Sequence, residues 1–424
     1  MARVASLQCV RCGATYPADD GMAAGCPGCA AAGAPSNVAP VYADRVRGEA
    51  LMRTVADGPG SMWRYAPLLP VDDVPVTLGE GGTPLIPLPT LGARWGLASL
   101  FVKDESRNPT GSWKDRMFSV ALTRARAAGH RVVALASSGN AGASAAAYAA
   151  RAGVRCVIFT TASAPAAMQQ QMRALGAILI ATRAPAERWT LLRVGVEQFG
   201  WRSLTNFVSP PVGSDPYGIE GYKTIACEIA EALRWRAPSW VLVPTCYGDG
   251  LWGMVRGFEE LRGAGVVEGR PRPVAAEVFG PLAAALAAGA ERVTPVPAGS
   301  SVAVSIAAGI STYQALHALR RADGLAAVVT DDDLVTTQAE LAEREGLFAE
   351  PSAVAGLAAA RTLRRQGVIR DDELVVAVIT AGGLKDPAAA ARTRPAVPII
   401  EATPDALSRV LRDHYGISVE GGAT

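Results

Sequence analysis

Short, continuous apolar runs alternate with alanine-rich helical stretches through most of this 424-residue chain, and that alternation limits the possible folds more than any other feature. Residues 131–137 (RVVALAS), 154–160 (VRCVIFT) and 177–182 (AILIAT) have the length and content of buried strands. Residues 141–153 and 164–177 read as helices between them, and another helix is expected near 186–199. A second series runs from a helix at 221–233 through a strand at 239–244 and a helix at 251–261. It closes with a helix at 352–366 and a strand at 373–380. Strands that are apolar on both faces and separated by helices belong to parallel sheets covered on both sides. The expectation is therefore an α/β chain with two doubly wound parallel-sheet domains and a cleft between them.

In such folds ligands bind at the carboxyl ends of the strands. Three loops occupy those ends: SSGNAG (137–142), TCYGDG (245–250) and TAGGLKD (380–386). The glycines of 245–250 let backbone N–H groups and a helix start converge on an anion such as a phosphate. Asp249 opposes that use unless its carboxylate turns away. The 137–142 loop offers hydroxyls, a carboxamide and backbone donors that suit a carboxylate. Ser138 or Asn140 can equally serve as an ordinary helix N-cap.

The chain begins differently. Cys9-x2-Cys12, thirteen residues, then Cys26-x2-Cys29 is the paired-knuckle spacing of a four-thiolate zinc site, the gap slightly shorter than usual. Four sulfurs leave no open position, so a zinc here would be structural; metal-free thiols are the alternative. A Pro/Ala/Gly linker follows at 31–40.

Forty-one basic against thirty-nine acidic residues leave a net charge of +2, which disfavours nucleic acid or an anionic membrane as partner and favours a small molecule. No apolar run approaches the ~18 residues of a membrane span, and the first residues lack a secretory core. A cytoplasmic, reducing compartment is expected, in which the seven cysteines are not disulfides. Among the basic residues only Lys103, Lys114, Lys223 and Lys385 are lysines. In a chain so biased to arginine, a lysine persists where arginine fails, and arginine cannot act as a nucleophilic amine. The three histidines, His130, His317 and His414, lie in no motif.

LGEGGTPL (78–85), NPTGSWKDR (108–116), SSGNAGASAAAYAARAG (137–153), IEGYKT (219–224) and TAGGLKD (380–386) come in that order. Together they resemble the pyridoxal phosphate enzymes of the tryptophan-synthase β-subunit fold type, and the threonine synthases in particular. The resemblance covers roughly residues 75 to 390, and the cysteine knuckles match a ribbon that many such chains carry. It implies that pyridoxal phosphate is the cofactor, that Lys114 carries it as an imine, and that Asn140 bonds the ring hydroxyl. It implies further that Tyr247, Gly248, Asp249 and Gly250 form the phosphate loop and that Thr380 meets the pyridine nitrogen. Ser137, Ser138 and Gly139 match the loop that grips the substrate carboxylate, and Thr83 matches a threonine near the substrate. Cys9, Cys12, Cys26 and Cys29 remain the expected zinc ligands.

The implied domains are a ribbon-like module with its linker (1–38), a large cofactor domain (39–115 and 211–398), a small α/β domain (116–210) and a tail (399–424), working as a homodimer on an amino acid. Two departures lie on the substrate side. Threonine synthases usually place a histidine inside the last motif, where this chain has Ala381-Gly382-Gly383. They also tend to place a lysine in the stretch that here reads ASAPAAMQQQ (162–171). The leading expectation is a lyase acting on phosphohomoserine or an analogue, with water or another nucleophile adding after the leaving group departs. The alternatives are β-replacement or β-elimination on a serine- or threonine-type substrate, as in cysteate synthase-like, sulfhydrylase-like or dehydratase enzymes. From another class come a non-catalytic ligand sensor of the same fold and a ribbon that docks nucleic acid.

Overall fold

The computed structural model describes residues 4–19, 21–44, 46–391 and 395–418; residues 1–3 of the expected ribbon module and 419–424 of the expected tail lie outside the described residues, as do 20, 45 and 392–394. The chain divides into two compact units, residues 1–387 and 388–424. In the second unit the helix Pro404–Tyr415 is capped by the Thr403 side chain and buries none of its residues.

The first unit holds three sheets. Strands β1 (Val4–Cys9), β2 (Thr15–Tyr16) and β3 (Val38–Tyr42) form a small antiparallel sheet in the order β2-β1-β3. Strands β4 (Leu85–Pro87) and β5 (Ser99–Asp104) belong to a six-stranded sheet. A four-stranded parallel sheet is made by β6 (Val132–Ala136), β7 (Arg155–Thr161), β8 (Ile178–Thr182) and β9 (Arg202–Ser203), in the order β8-β7-β6-β9. Strands β10 (Trp240–Pro244), β11 (Arg272–Glu277), β12 (Leu325–Val328) and β13 (Leu374–Ile379) complete the six-stranded sheet, ordered β12-β11-β10-β13-β5-β4. All its pairings are parallel except that of β4 with β5.

The strand patterns follow from position. Central β10 is buried at every residue and β13 at all but Leu374, so both can be apolar throughout, whereas edge strand β8 is largely exposed. Helices such as Ala355–Arg365 and Asp249–Gly263 cover the six-stranded sheet, and Asn140–Ala152 packs on the four-stranded one. The helix after β10 starts two residues before the expected 251, which puts Asp249 and Gly250 in its first turn. The ends of β6, β10 and β13 carry the three loops singled out from the sequence. Among the described residues no helix is long and apolar enough to cross a membrane.

Candidate active site

Lys114 opens the helix Lys114–Ala127. The turn before it is built around the next residue. The Asp115 carboxylate accepts bonds from Thr110 N (2.7 Å), Thr110 Oγ1 (2.5 Å) and Ser144 Oγ (2.6 Å). Burial pushes this carboxyl up to about 6, against the pull of those bonds. Gly111 turns the chain at φ +81°. Trp113 N donates to the Thr380 carbonyl at 2.9 Å, and Ser112 bridges to Ala381, so the turn is fastened to the end of β13. Asp115 thus organises the loop and does not pair with Lys114.

Among the described residues the Lys114 amine makes no hydrogen bond and no ion pair; its nearest rings are Trp113 and Tyr222, 5.4 and 5.7 Å from Nζ. Burial lowers its pKa, opposed by the fields of Asp249, Cys246 and Glu350. Those three residues mark the walls around it. Glu350 is buried and accepts from Asn140 Nδ2 at 3.1 and 3.2 Å and from Ser305 Oγ at 3.1 Å. Burial raises its pKa despite those bonds. Among the described residues Asn140 Oδ1 is buried without a hydrogen-bond partner.

The 245–250 loop has the geometry of an anion cup. Gly248 sits at φ +79°, and a Cβ there would lie 2.3 Å from the Ala315 Cβ; at Gly250 it would lie 2.4 Å from the Trp113 ring. No side chain caps the helix that starts at Asp249, so its first N–H groups are open. The Asp249 carboxylate is drawn aside by Ser214 N (3.2 Å), Ser214 Oγ (2.6 Å) and Gln314 Nε2 (2.5 Å). Tyr247 lies against Trp189, ring centroids 6.2 Å apart.

At the end of β6 neither Ser138 nor Asn140 caps the following helix. The N-cap is Gly139 with no side-chain bond, and Ser137 Oγ accepts from Gly142 N at 2.9 Å instead. Ser138 Oγ meets Thr161 and Arg188. Thr380 is buried; its carbonyl is used by Trp113, and its hydroxyl makes no hydrogen bond among the described residues.

Thr83 has a different setting. Its hydroxyl donates to Glu105 (2.6 Å) inside a buried charge cluster and accepts from Lys103 Nζ (2.5 Å). Arg116 joins Glu105 at 2.6 and 2.8 Å and Glu228 at 2.7 Å twice, and Lys103 meets Glu228 at 2.6 Å. Gly82 N donates to Glu228 and Gly81 N to Asn108, so the cluster ties residues 78–85 to residues 108–116. Nearby, Glu80 accepts from Trp63 Nε1, Ser119 Oγ and Tyr148 OH. Lys223 pairs with Glu220 and Glu260, and Lys385 bonds the Gln171 amide at 2.8 Å.

Sequence reasoning missed Glu350, Arg116, Glu105, Glu228 and Arg188. Two left a signal: Arg116 closes the NPTGSWKDR motif, and Glu350 immediately precedes the apolar stretch PSAVAGLAAA. A cavity of about 510 Å³ lined by Ser106, Thr110, Gly111, Gln171, Phe348 and Lys385 opens beside the 108–116 turn. A cavity of about 580 Å³ lies elsewhere, by Tyr42, Trp252 and Arg256; there Arg256 is paired with Glu220 and Glu260, and Arg321 with Glu259.

At the N-terminus the Cys9, Cys12, Cys26 and Cys29 sulfurs all lie within 4.8 Å of one another. Backbone N–H groups of Arg11 and Cys12 point at Cys9 Sγ, and that of Cys29 at Cys26 Sγ.

The residues fit pyridoxal phosphate on three counts: an amine without a partner, an orphaned buried carboxamide oxygen and a glycine cup that side chains would fill. Comparison with known proteins agrees. The family model "Pyridoxal-phosphate dependent enzyme" matches residues 76–381. The threonine synthase of Methanosarcina acetivorans is 33% identical over 412 residues, 96% of this chain and 98% of that protein. That of Methanocaldococcus jannaschii is 32% identical over 416 residues, 96% and 99% of the two chains. Among solved structures, diaminopropionate ammonia lyase from Escherichia coli superposes with a TM-score of 0.65 at 18% identity, covering 76% of this chain and 91% of that one. Threonine deaminase isoform 2 from Solanum lycopersicum gives 0.63 at 19%, covering 80% and 86%. At such identity the structural likenesses speak for the fold.

Proposed function

The chain belongs to the family of pyridoxal-phosphate dependent enzymes and is a lyase resembling threonine synthase, and we propose that it removes a leaving group from phosphohomoserine or an analogue and adds water or another nucleophile. The observation that carries this reading is the partnerless Lys114 amine, set next to a turn fastened to the end of β13 and within the fields of Asp249, Cys246 and Glu350. When bound, the cofactor supplies an electron sink for the substrate's α-carbon. Lys114 would hold the cofactor and, once released from it, move the α-proton; burial lowers the pKa of its amine.

Asn140, steadied by Glu350, presents its carboxamide to the ring hydroxyl. Tyr247 to Gly250 offer backbone donors to the phosphate, and Asp249 is turned aside to leave them clear. Thr380 offers a neutral hydroxyl to the pyridine nitrogen, which favours elimination and replacement over transamination. Ser137, Ser138 and Gly139 shape the seat for the substrate carboxylate. For Thr83 the observed bonds support a part in holding the 78–85 loop beside the site.

A second reading, β-replacement or β-elimination on a serine- or threonine-type substrate, is favoured by Ala381-Gly382-Gly383, a small neutral surface at the end of β13. The two are separated by giving the protein phosphohomoserine, phosphoserine, acetylserine and threonine in turn. Release of phosphate from phosphohomoserine, falling ~10³-fold or more in Lys114→Ala, is the expected outcome. Inertness toward phosphohomoserine with turnover of another substrate overturns the first reading in favour of the second.

The four cysteines fit a structural zinc, given their mutual reach and the N–H groups aimed at their sulfurs. Metal analysis is expected to find one zinc per chain, lost in Cys26→Ser; a metal-free wild-type protein with an intact N-terminal module would refute the zinc.

A further inference from the structure

The helix Glu187–Phe199 brings a cation to the cleft that the roles above leave unused. Arg188 donates from Nη1 to Ser138 Oγ at 3.1 Å and from Nε to the Pro185 carbonyl at 3.0 Å. It is half-buried, and among the described residues no carboxylate pairs with it. Burial lowers its pKa, and the group opposing that is Tyr247. The next residue, Trp189, packs on the Tyr247 ring. The guanidinium therefore touches the loop after β6 and faces the loop after β10, the two that flank Lys114.

Withdrawing a guanidinium from water without an anion is costly, and most other withdrawn cations here have one. Arg116, Lys103, Lys223, Arg202 and Arg256 all pair with carboxylates. The proposed seat for the substrate α-carboxylate is the Ser137–Gly139 loop at the start of the helix Asn140–Ala152, whose N-cap Gly139 has no side chain to occupy it. Arg188 borders that seat, bonding the Ser138 hydroxyl at its edge, and it lies on the side of Tyr247, which the α-carboxylate does not need.

The geometry points to Arg188 as the specificity-determining cation for a second anionic group, a phosphate ester or a carboxylate, on the side chain of the amino-acid substrate. This rests on the reading of the site as one for an amino acid.

The test uses holoenzyme, wild type against Arg188→Gln and Arg188→Lys, with spectral titration of the bound cofactor by phosphohomoserine, phosphoserine, aspartate and acetylserine. Arg188→Gln is expected to weaken phosphorylated ligands, aspartate or both by roughly 10- to 100-fold and to leave acetylserine within about twofold, with partial recovery in Arg188→Lys. Whichever of phosphate and carboxylate suffers more identifies the tail. Equal loss for all four ligands would assign Arg188 to the α-carboxylate, and weakened retention of the cofactor would assign it to the coenzyme; either overturns the inference, as does no change. Failure of the proposed reaction shows separately: tight, Arg188-dependent binding of phosphohomoserine without phosphate release sinks the reaction and leaves the inference standing.

Discussion

Lys103 and Lys114 are both withdrawn from solvent, yet their surroundings differ completely. Lys103 and Arg116 face Glu105 and Glu228, two cations against two carboxylates, with Thr83, Thr224 and Asn108 filling the remaining bonds. The cluster is closed on itself. Lys114 stands two residues from Arg116 on the same helix and has no hydrogen bond at all among the described residues. Charge or polarity taken out of water must be compensated, and where the chain supplies no partner a ligand is the remaining candidate. The contrast separates scaffold from site: the motif residues at 78–85 and 108–116 serve the closed cluster, while Lys114, Asn140 and Arg188 carry open valences.

The largest effect expected from this contrast is on stability. Arg116→Met leaves two buried carboxylates facing only Lys103 and is expected to cost about 3–5 kcal/mol in urea unfolding. Lys114→Met, measured in the cofactor-free protein, orphans no partner and is expected to cost little or to stabilise slightly, since burial already disfavours its charged form. Equal costs for the two variants would break the comparison.

Much of this fold was legible because its central strands are apolar on both faces, so β6, β7, β10 and β13 appear as unbroken runs. Strands β5, β11 and β12 escaped for local reasons. SLFVKD ends in two charges, and the partner of Lys103, Glu228, lies far along the chain; RPVAAE has charged ends, and LAAV is as alanine-rich as a helix. The helix Lys114–Ala127 lacks an apolar stripe because Asp115, Arg116 and Ser119 are themselves buried. Rarity of lysine narrowed the choice to four residues and the NPTGSWKDR motif singled out Lys114, but why Lys103 is not an open amine cannot be read locally. That distinction lies in Glu105 and Glu228, one of them 125 residues away from Lys103, and only tertiary structure assembles it. Arg188 was hidden more fully, as one of many arginines with no motif around it.

A smaller effect extends the comparison to pH. Burial alone would raise the carboxyl of Glu228, but Arg116 and Lys103 beside it prevail and hold it well below the ordinary carboxylate range. Its stabilisation is present above that ordinary range and fades only as pH falls toward the folded-state value. Glu277, at the end of β11, is also buried, but among the described residues its carboxylate meets no cation, only the N–H groups of Leu282 (3.1 Å) and Ala283 (3.1 Å). Burial pushes its carboxyl up to about 7. The sign is reversed: the folded state favours the protonated form, so this contribution is full below the unfolded pKa of 4.5 and is lost as pH rises through about 7. Glu277→Gln keeps the shape and cannot ionise. Relative to that variant, wild type is expected to lose about 1–3 kcal/mol between roughly pH 5 and pH 8, at ~1.4 kcal/mol per pKa unit. Parallel urea midpoints for the two proteins across that range would show that Glu277 titrates as an ordinary carboxylate, and that lacking a cation partner is not what separates it from Glu228.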